Sequence, residues 1–335
     1  MPGPPPLPAC VPTAPKPPAR PSGRLAANVL ERYWFGDEDP NRTDEEASTS
    51  FAAALGRMLR LRAFPGVVAE ALRLLSRQDS HSRDIALALE RDPSVCARML
   101  MLANSAVFGG LGKCGSVPEA LVRLGNRKAG EVVLSVAALG MYEDTTGVAT
   151  VFRDHVLGVA AISRSLALAW GGDQADNVFA AGLLTDIGKL FILSARDVDY
   201  ESLDPSLLAE PEKTHVLERM WVGWDHAVLG AHLLEAWQLP DDLALSVALH
   251  HQPGRAYERG GQLGLSVALL RLADVIEYQL RKRPEADPEF IAQLARGGDA
   301  SYASLSERNL CDLWPRFAKV RSDALGSVRV VSKRS

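Results

Sequence analysis

From Phe51 onward, apolar residues recur at three- and four-residue spacing through Leu55, Met58, Leu59, Val67, Val68, Leu72, Leu75, Ile85, Leu87 and Leu89. That recurrence marks amphipathic helices, and strand-like alternation is nearly absent. Ser116-Val117-Pro118-Glu119 forms a capping-box pattern with proline in the first turn, which predicts a helix from Val117. Gly125 interrupts the run that follows and predicts two helices or one bent helix, since glycine weakens a helix by ~1 kcal/mol relative to alanine. Further helical patches fall at 151–170, 177–194, 212–237, 241–251, 262–283 and 300–321. Between them stand breakers: Gly171-Gly172, Pro205, Pro240, Pro253-Gly254 and Pro284. The pattern predicts an all-α protein, and the lack of a fixed repeat of about 20–50 residues disfavours a solenoid.

Composition agrees with a folded core. Of 335 residues, 47% are apolar and 23% charged, which excludes fibrous and wholly disordered chains. Proline is uneven, with ten of 21 inside residues 2–21, so residues 1–46 are expected to be a solvated, polyproline-type arm and linker. Formal charge is −4, from 37 basic and 41 acidic residues without a long single-sign block, so DNA is not an expected partner. Cysteines 10, 96, 114 and 311 form no CxxC pair, and Cys96 and Cys114 have apolar helical contexts, which points to a reducing, cytoplasmic setting. No apolar run approaches ~18 residues and no signal-peptide order is present, so no membrane span is expected.

Chemistry concentrates in the second half. Phe179 to Leu193 is apolar nearly all round a helix, with Asp186 in its middle. A carboxylate there must be paired, hydrogen-bonded or metal-bound. An ion pair with Lys189, three residues on, and a ligand role both satisfy that requirement. Other helix-borne candidates are His155, His226, the adjacent His250 and His251, and Asp274. Together they make an oxygen-and-nitrogen set suited to iron, zinc or manganese, aimed into a bundle core. Each histidine taken singly is more often an ordinary core or surface residue. His81 and His215 have polar neighbours and read as surface residues. Asn104 and Ser105 end an apolar helix before a glycine-rich turn and read as cap and turn chemistry. Gly109, Gly110 and Gly112 do not form a phosphate loop.

The segments FPGVVAEALRLLS, IALALERDPSVCARMLMLANSAVFG, SVPEALVRLG, AAGLLTDIGKL, DHAVLGAHLLEAWQLP and ALHHQP occur in one order across some two hundred residues. In that order the chain resembles the HDOD domain family, a signalling-associated branch of the HD superfamily of metal-dependent phosphohydrolases. The resemblance implies a two-lobed helical bundle over residues 47–258, with an N-terminal lobe at 47–145 and an HD-like lobe at 146–258. Residues 259–327 are expected to complete the bundle, and 328–335 to be a frayed tail. It also implies that the superfamily's metal positions fall on His155, Asp186, His226, His250, His251 and Asp274. Thr185 and Lys189 are expected to line the site.

One departure stands out: Thr185 occupies the histidine position of the His-Asp dipeptide, and a hydroxyl is a poor substitute for imidazole nitrogen. The HHE and GYP motifs of cyclic-di-GMP phosphodiesterases are absent as well, since Gln252, Pro253 and Gly254 follow His251. The expected function is a non-catalytic or weakly catalytic bacterial signalling module, working through protein partners or a bound nucleotide or cyclic dinucleotide. The alternative is a metal-dependent phosphohydrolase acting on such a nucleotide.

Overall fold

The structure, a computed structural model, describes residues 51–57, 59, 65–75, 81–104, 114–142, 147–172, 175–195, 198–203, 208, 210 and 213–332. The arm expected at 1–46, together with Cys10, Ser105 and Gly109–Gly112, lies outside these residues. Among the described residues every regular element is helical. After a helical segment at 51–57 come α1 (Gly66–Leu75), α2 (Ser82–Leu89), α3 (Pro93–Ala103) and α4 (Val117–Gly140). Next are α5 (Gly147–Trp170), α6 (Ala175–Leu184), α7 (Ile187–Ala195), α8 (Thr214–Val222), α9 (His226–Ala236) and α10 (Asp241–Leu249). The chain ends with α11 (Pro253–Arg259), α12 (Gly261–Lys282), α13 (Pro288–Ala295), α14 (Gly298–Tyr302) and α15 (Glu307–Ser332).

Local chemistry explains many of these boundaries. Ser116 Oγ accepts from the Glu119 amide at 3.3 Å, and Glu119 Oε2 accepts from the Gly115 amide at 2.8 Å. The first bond satisfies one of the free amides of α4, and the second ties down the residue before its cap. Gly125 has φ 70° and ψ 165°, which places the expected kink in α4. Asn104 clasps the segment leading into α4: its side chain donates to the Cys114 carbonyl at 3.1 Å and accepts from the Cys114 amide at 2.6 Å. Cys114 itself is buried just before α4, in a segment without regular structure rather than in the expected helix.

Several expected elements differ, the 300–321 patch among them, which is divided between α14 and α15. The 177–194 patch is two helices, α6 and α7, with a turn at Thr185-Asp186. The patch at 212–237 is also two: Gly223, left-handed at φ 83°, closes α8, and the Asp225 carboxylate caps α9 by accepting from the Ala227 and Val228 amides at 2.9 and 3.2 Å. Pro253 begins α11 instead of only ending what precedes it, because proline's fixed φ suits the first helical turn. The last helix continues to Ser332, through most of the segment expected to fray.

Helix α5 is the hub, packed against α6, α12 and α15. Gly182 permits the α5–α6 approach, since a Cβ there would lie 2.7 Å from the Ala160 Cα. One hydrophobic core runs from Phe51 to Leu325, so helices after residue 258 share it with those before. Phe152, Ile162, Leu166, Phe191 and Phe317 are fully buried in it, each contributing ~1.5–3 kcal/mol relative to exposure. The stretch Asn177–Ala195 has the length and hydropathy to cross a membrane, against the expectation from the sequence, but 78% of its apolar window is buried inside the fold.

Candidate metal centre

Asp186 sits in the turn between α6 and α7, buried beside α5 and the start of α9. Its two carboxylate oxygens face different groups. Oδ1 lies 3.1 Å from His226 Nε2, whereas Oδ2 accepts from Lys189 Nζ at 2.7 Å and lies 3.6 Å from His155 Nε2. Asp186 is therefore ion-paired to Lys189, one of the two expectations, and it also faces two histidines. Burial would raise its pKa, yet Lys189, His226 and His155 hold it well below the ordinary carboxylate range. Lys189 rises above its usual value despite burial, because Asp186 and Glu218 favour its charge.

Gly188 makes this geometry attainable. A Cβ at that position would fall 2.1 Å from the His226 carbonyl oxygen and 2.8 Å from its carbonyl carbon. Only glycine lets α7 approach the first turn of α9 so closely.

On one side of Asp186, three imidazoles converge. His226 Nε2 is 3.3 Å from His250 Nε2 and 3.1 Å from His251 Nε2. Facing nitrogens at about 3.0–3.4 Å are what two imidazoles present when each lies ~2.0–2.1 Å from a shared ion. The other nitrogens of His226 and His250 reinforce the arrangement. Nδ1 of His226 donates to Glu218 Oε2 at 2.7 Å, and Nδ1 of His250 donates to the Val247 carbonyl at 2.6 Å. Such bonds fix the tautomer and turn Nε2 toward the centre. A single proton on His226 Nε2 cannot serve Asp186, His250 and His251 together, whereas a cation satisfies all three. The donor set fits a divalent metal.

Electrostatics in the metal-free protein follow the same division. Burial opposes the charge on His226, but Glu218 and Asp186 together outweigh it and the pKa rises to about 9. Burial and the neighbouring His226 push His250 well below its usual value, while burial and His250 do the same to His251.

On the other side, His155 lies between carboxylates. Its Nδ1 donates to Glu277 Oε2 at 2.7 Å and its Nε2 faces Asp274 Oδ1 at 3.1 Å. Despite burial, Asp274 and Glu277 raise its pKa to about 10. Glu277 is held in turn by Arg321 of α15 at 2.9 Å, and Gly158 makes room for it, since a Cβ there would lie 2.5 Å from Glu277 Cγ. The fold thus brings together His155, Asp186, His226, His250, His251, Asp274 and Lys189. Thr185 is buried in the same turn as Asp186.

Several participants were not anticipated. Glu218 and Glu277 are fully buried partners of His226 and His155, and Tyr200 donates to Glu218 Oε1 at 2.6 Å. His215, expected at the surface, is 6% exposed and stacks on His251 with ring centroids 4.0 Å apart. It faces inward because α8 must also turn Glu218 toward His226. His81 is exposed, as expected.

Separate from this line, a cavity of about 400 Å³ opens between α1, α4, α10 and α12, lined in part by Leu72, Leu134, Trp237, Leu243 and Ser246.

An all-α fold with a line of histidines and aspartates at its centre is HD-like. The HDOD domain family matches residues 61–253, more than half of the chain, and the chain belongs to that family. A solved HDOD domain protein of unknown function from Geobacter sulfurreducens superposes with a TM-score of 0.63 at 22% identity, covering 83% of this chain and 97% of that one. A candidate metal-dependent phosphohydrolase from Shewanella amazonensis SB2B gives 0.58 at 18% identity, with 83% and 99% covered. A candidate signal transduction protein from Marinobacter aquaeolei VT8 gives 0.61 at 16%, with 88% and 68% covered. These likenesses define the fold. An uncharacterized protein of Treponema pallidum (strain Nichols) is 26% identical over 228 residues, 67% of this chain; the chain spans 44% of that relative's length.

Proposed function

We propose that the protein is a cytoplasmic HDOD signalling module that holds one divalent metal on His226, His250, His251 and Asp186, and acts by binding partners instead of turning over phosphodiesters. The observation that carries this reading is the division of Asp186. Its Oδ1 serves the three-histidine group, while Lys189 takes Oδ2. Zinc, iron or manganese bound there supplies Lewis acidity and ties α7, α9 and the end of α10 together. Two-metal hydrolysis needs ions ~3.5–4 Å apart clamping the attacking and leaving oxygens. With Thr185 in the dipeptide, the second position lacks an imidazole, and Lys189 and the His155 imidazolium supply positive charge in its place. The cavity between the lobes supports a ligand-dependent module whose small-molecule partner is a nucleotide or cyclic dinucleotide and whose outputs are protein partners.

A second reading keeps hydrolysis of such a nucleotide, and His155 with Asp274 favours it, because they can face a second ion. Metal content by mass spectrometry and phosphodiester hydrolysis, measured on wild type, Thr185→His and Asp186→Ala, separate the two. The expected result is one metal per chain and no wild-type turnover, with activity appearing in Thr185→His. Robust wild-type turnover that vanishes in Asp186→Ala would overturn the regulatory reading.

A further inference from the structure

The proposed ligands end at His251, inside the family's segment, yet a tie on the histidine pair comes from beyond it. Arg271, on α12, donates through Nη1 to the His250 backbone carbonyl at 2.6 Å. That carbonyl belongs to the peptide joining His250 to His251, so its orientation sets the direction of both imidazoles. The guanidinium is fixed in turn, with Nε donating to the Asp299 carboxylate at 3.1 and 3.2 Å. Asp299, in α14, also accepts from the Tyr257 hydroxyl. Tyr257 stacks on Tyr302 at 4.2 Å between ring centroids. Gly264 seats Tyr302 against α12, since a Cβ there would come within 2.3 Å of the tyrosine oxygen. A chain of named contacts therefore runs from α14 through Arg271 to the peptide between two proposed ligands.

We propose that Arg271, braced by Asp299, is a positioning residue for the His250–His251 pair, so that metal binding and the docking of α14 against α12 are energetically coupled. The inference rests on the metal reading above and adds an output to it. Whatever factor docking contributes to metal affinity, metal must return to docking, because linkage is reciprocal. The metal centre thereby controls how firmly the helices beyond the family's segment are held.

The test uses the full chain with zinc alone as the probe. Competition against a chromogenic chelator gives affinities for wild type, Arg271→Ala, Arg271→Lys and Asp299→Asn, and cobalt(II) spectra report ligand geometry. Arg271→Ala is expected to weaken zinc binding about 10- to 100-fold and to shift the cobalt spectrum. Lysine should recover part of the loss, because an ammonium still donates to the carbonyl. Zinc should also slow hydrogen exchange at residues 298–302 of wild type, and a chelator should reverse the effect. That comparison decides the matter without a variant if Arg271→Ala fails to fold. Unchanged affinity and spectrum in Arg271→Ala, or unchanged exchange at 298–302, overturns the coupling while the metal reading stands. Wild type that takes up neither zinc, iron nor manganese removes the metal reading, and the coupling falls with it.

Discussion

Glu218 Oε2 lies 2.7 Å from both the backbone nitrogen and Nδ1 of His226, so one carboxylate oxygen fixes where that imidazole begins and which way it points. Its other oxygen accepts from Tyr200, whose pKa rises well above its usual value through burial and this carboxylate. Glu218→Ala strands three buried donors. Removing one member of a buried charged network costs about 3–5 kcal/mol, so denaturant unfolding should show a loss of that size. Glu218→Gln keeps an acceptor near His226 and should cost less than half as much, yet still weaken zinc binding about 10- to 100-fold. Equal stability losses in the two variants would show that volume matters here and the acceptor does not.

Gly188→Ala tests the close approach of α7 to α9. Its Cβ would meet the His226 backbone, which cannot give way as a flexible side chain can. Overpacking of this kind costs about 1–3 kcal/mol and displaces backbone, so chemical denaturation should show the loss and zinc affinity should fall with it. Gly254→Ala is the control, because a Cβ there meets nothing within 4 Å. It should stay within about 1 kcal/mol of wild type, on the stabilising side.

Helix periodicity, the Ser116 cap, the Gly125 kink and the Asp186–Lys189 pair were all legible from spacing, because each depends on neighbours within four residues. The break at Thr185-Asp186 was not. The uniform apolarity of 179–193 fits a single helix, and the competing demand, contact between Gly188 and His226, comes from 38 residues away. Glu277 sits 122 residues from His155, and on its own helix it reads as a solvated charge. His215 was misplaced for a similar reason: polar neighbours suggest a surface, but here one of them, Glu218, is itself turned inward. The Gly223…Asp225 pair, by contrast, carried a stop-and-start signal for two helices that local reading could have used.

His232 makes stability sensitive to acid without touching the metal centre. Burial pushes its pKa down to about 4; its ring packs 4.9 Å from that of Phe51, and Glu235 at 3.6 Å does not offset the burial. The folded state keeps His232 neutral, while the unfolded chain takes up a proton below about 6.5. Stability from this group is therefore complete above pH 6.5 and declines as pH falls toward 4, by up to about 3 kcal/mol. Between pH 7 and pH 4.5 the unfolding free energy of wild type should fall relative to that of His232→Leu as acid is added. Parallel pH profiles would show that the ring finds a compensating acceptor.

Lys189→Met asks whether lysine and metal compete for Asp186. In the zinc-free protein the substitution leaves Asp186 Oδ2 facing only His155 Nε2 at 3.6 Å, and removing one partner of a buried ion pair costs up to about 3–5 kcal/mol. Zinc returns positive charge to the same carboxylate, so the variant has more to gain from it. Ligand at 100 times its dissociation constant stabilises by about 2.7 kcal/mol, and that figure should grow if removing Lys189 tightens binding. Thermal melts with zinc and with chelator are expected to show a larger zinc-induced rise in Tm for Lys189→Met than for wild type. Equal rises would mean that Lys189 and the metal act on Asp186 independently, and the division of its two oxygens would then no longer account for a single-metal site.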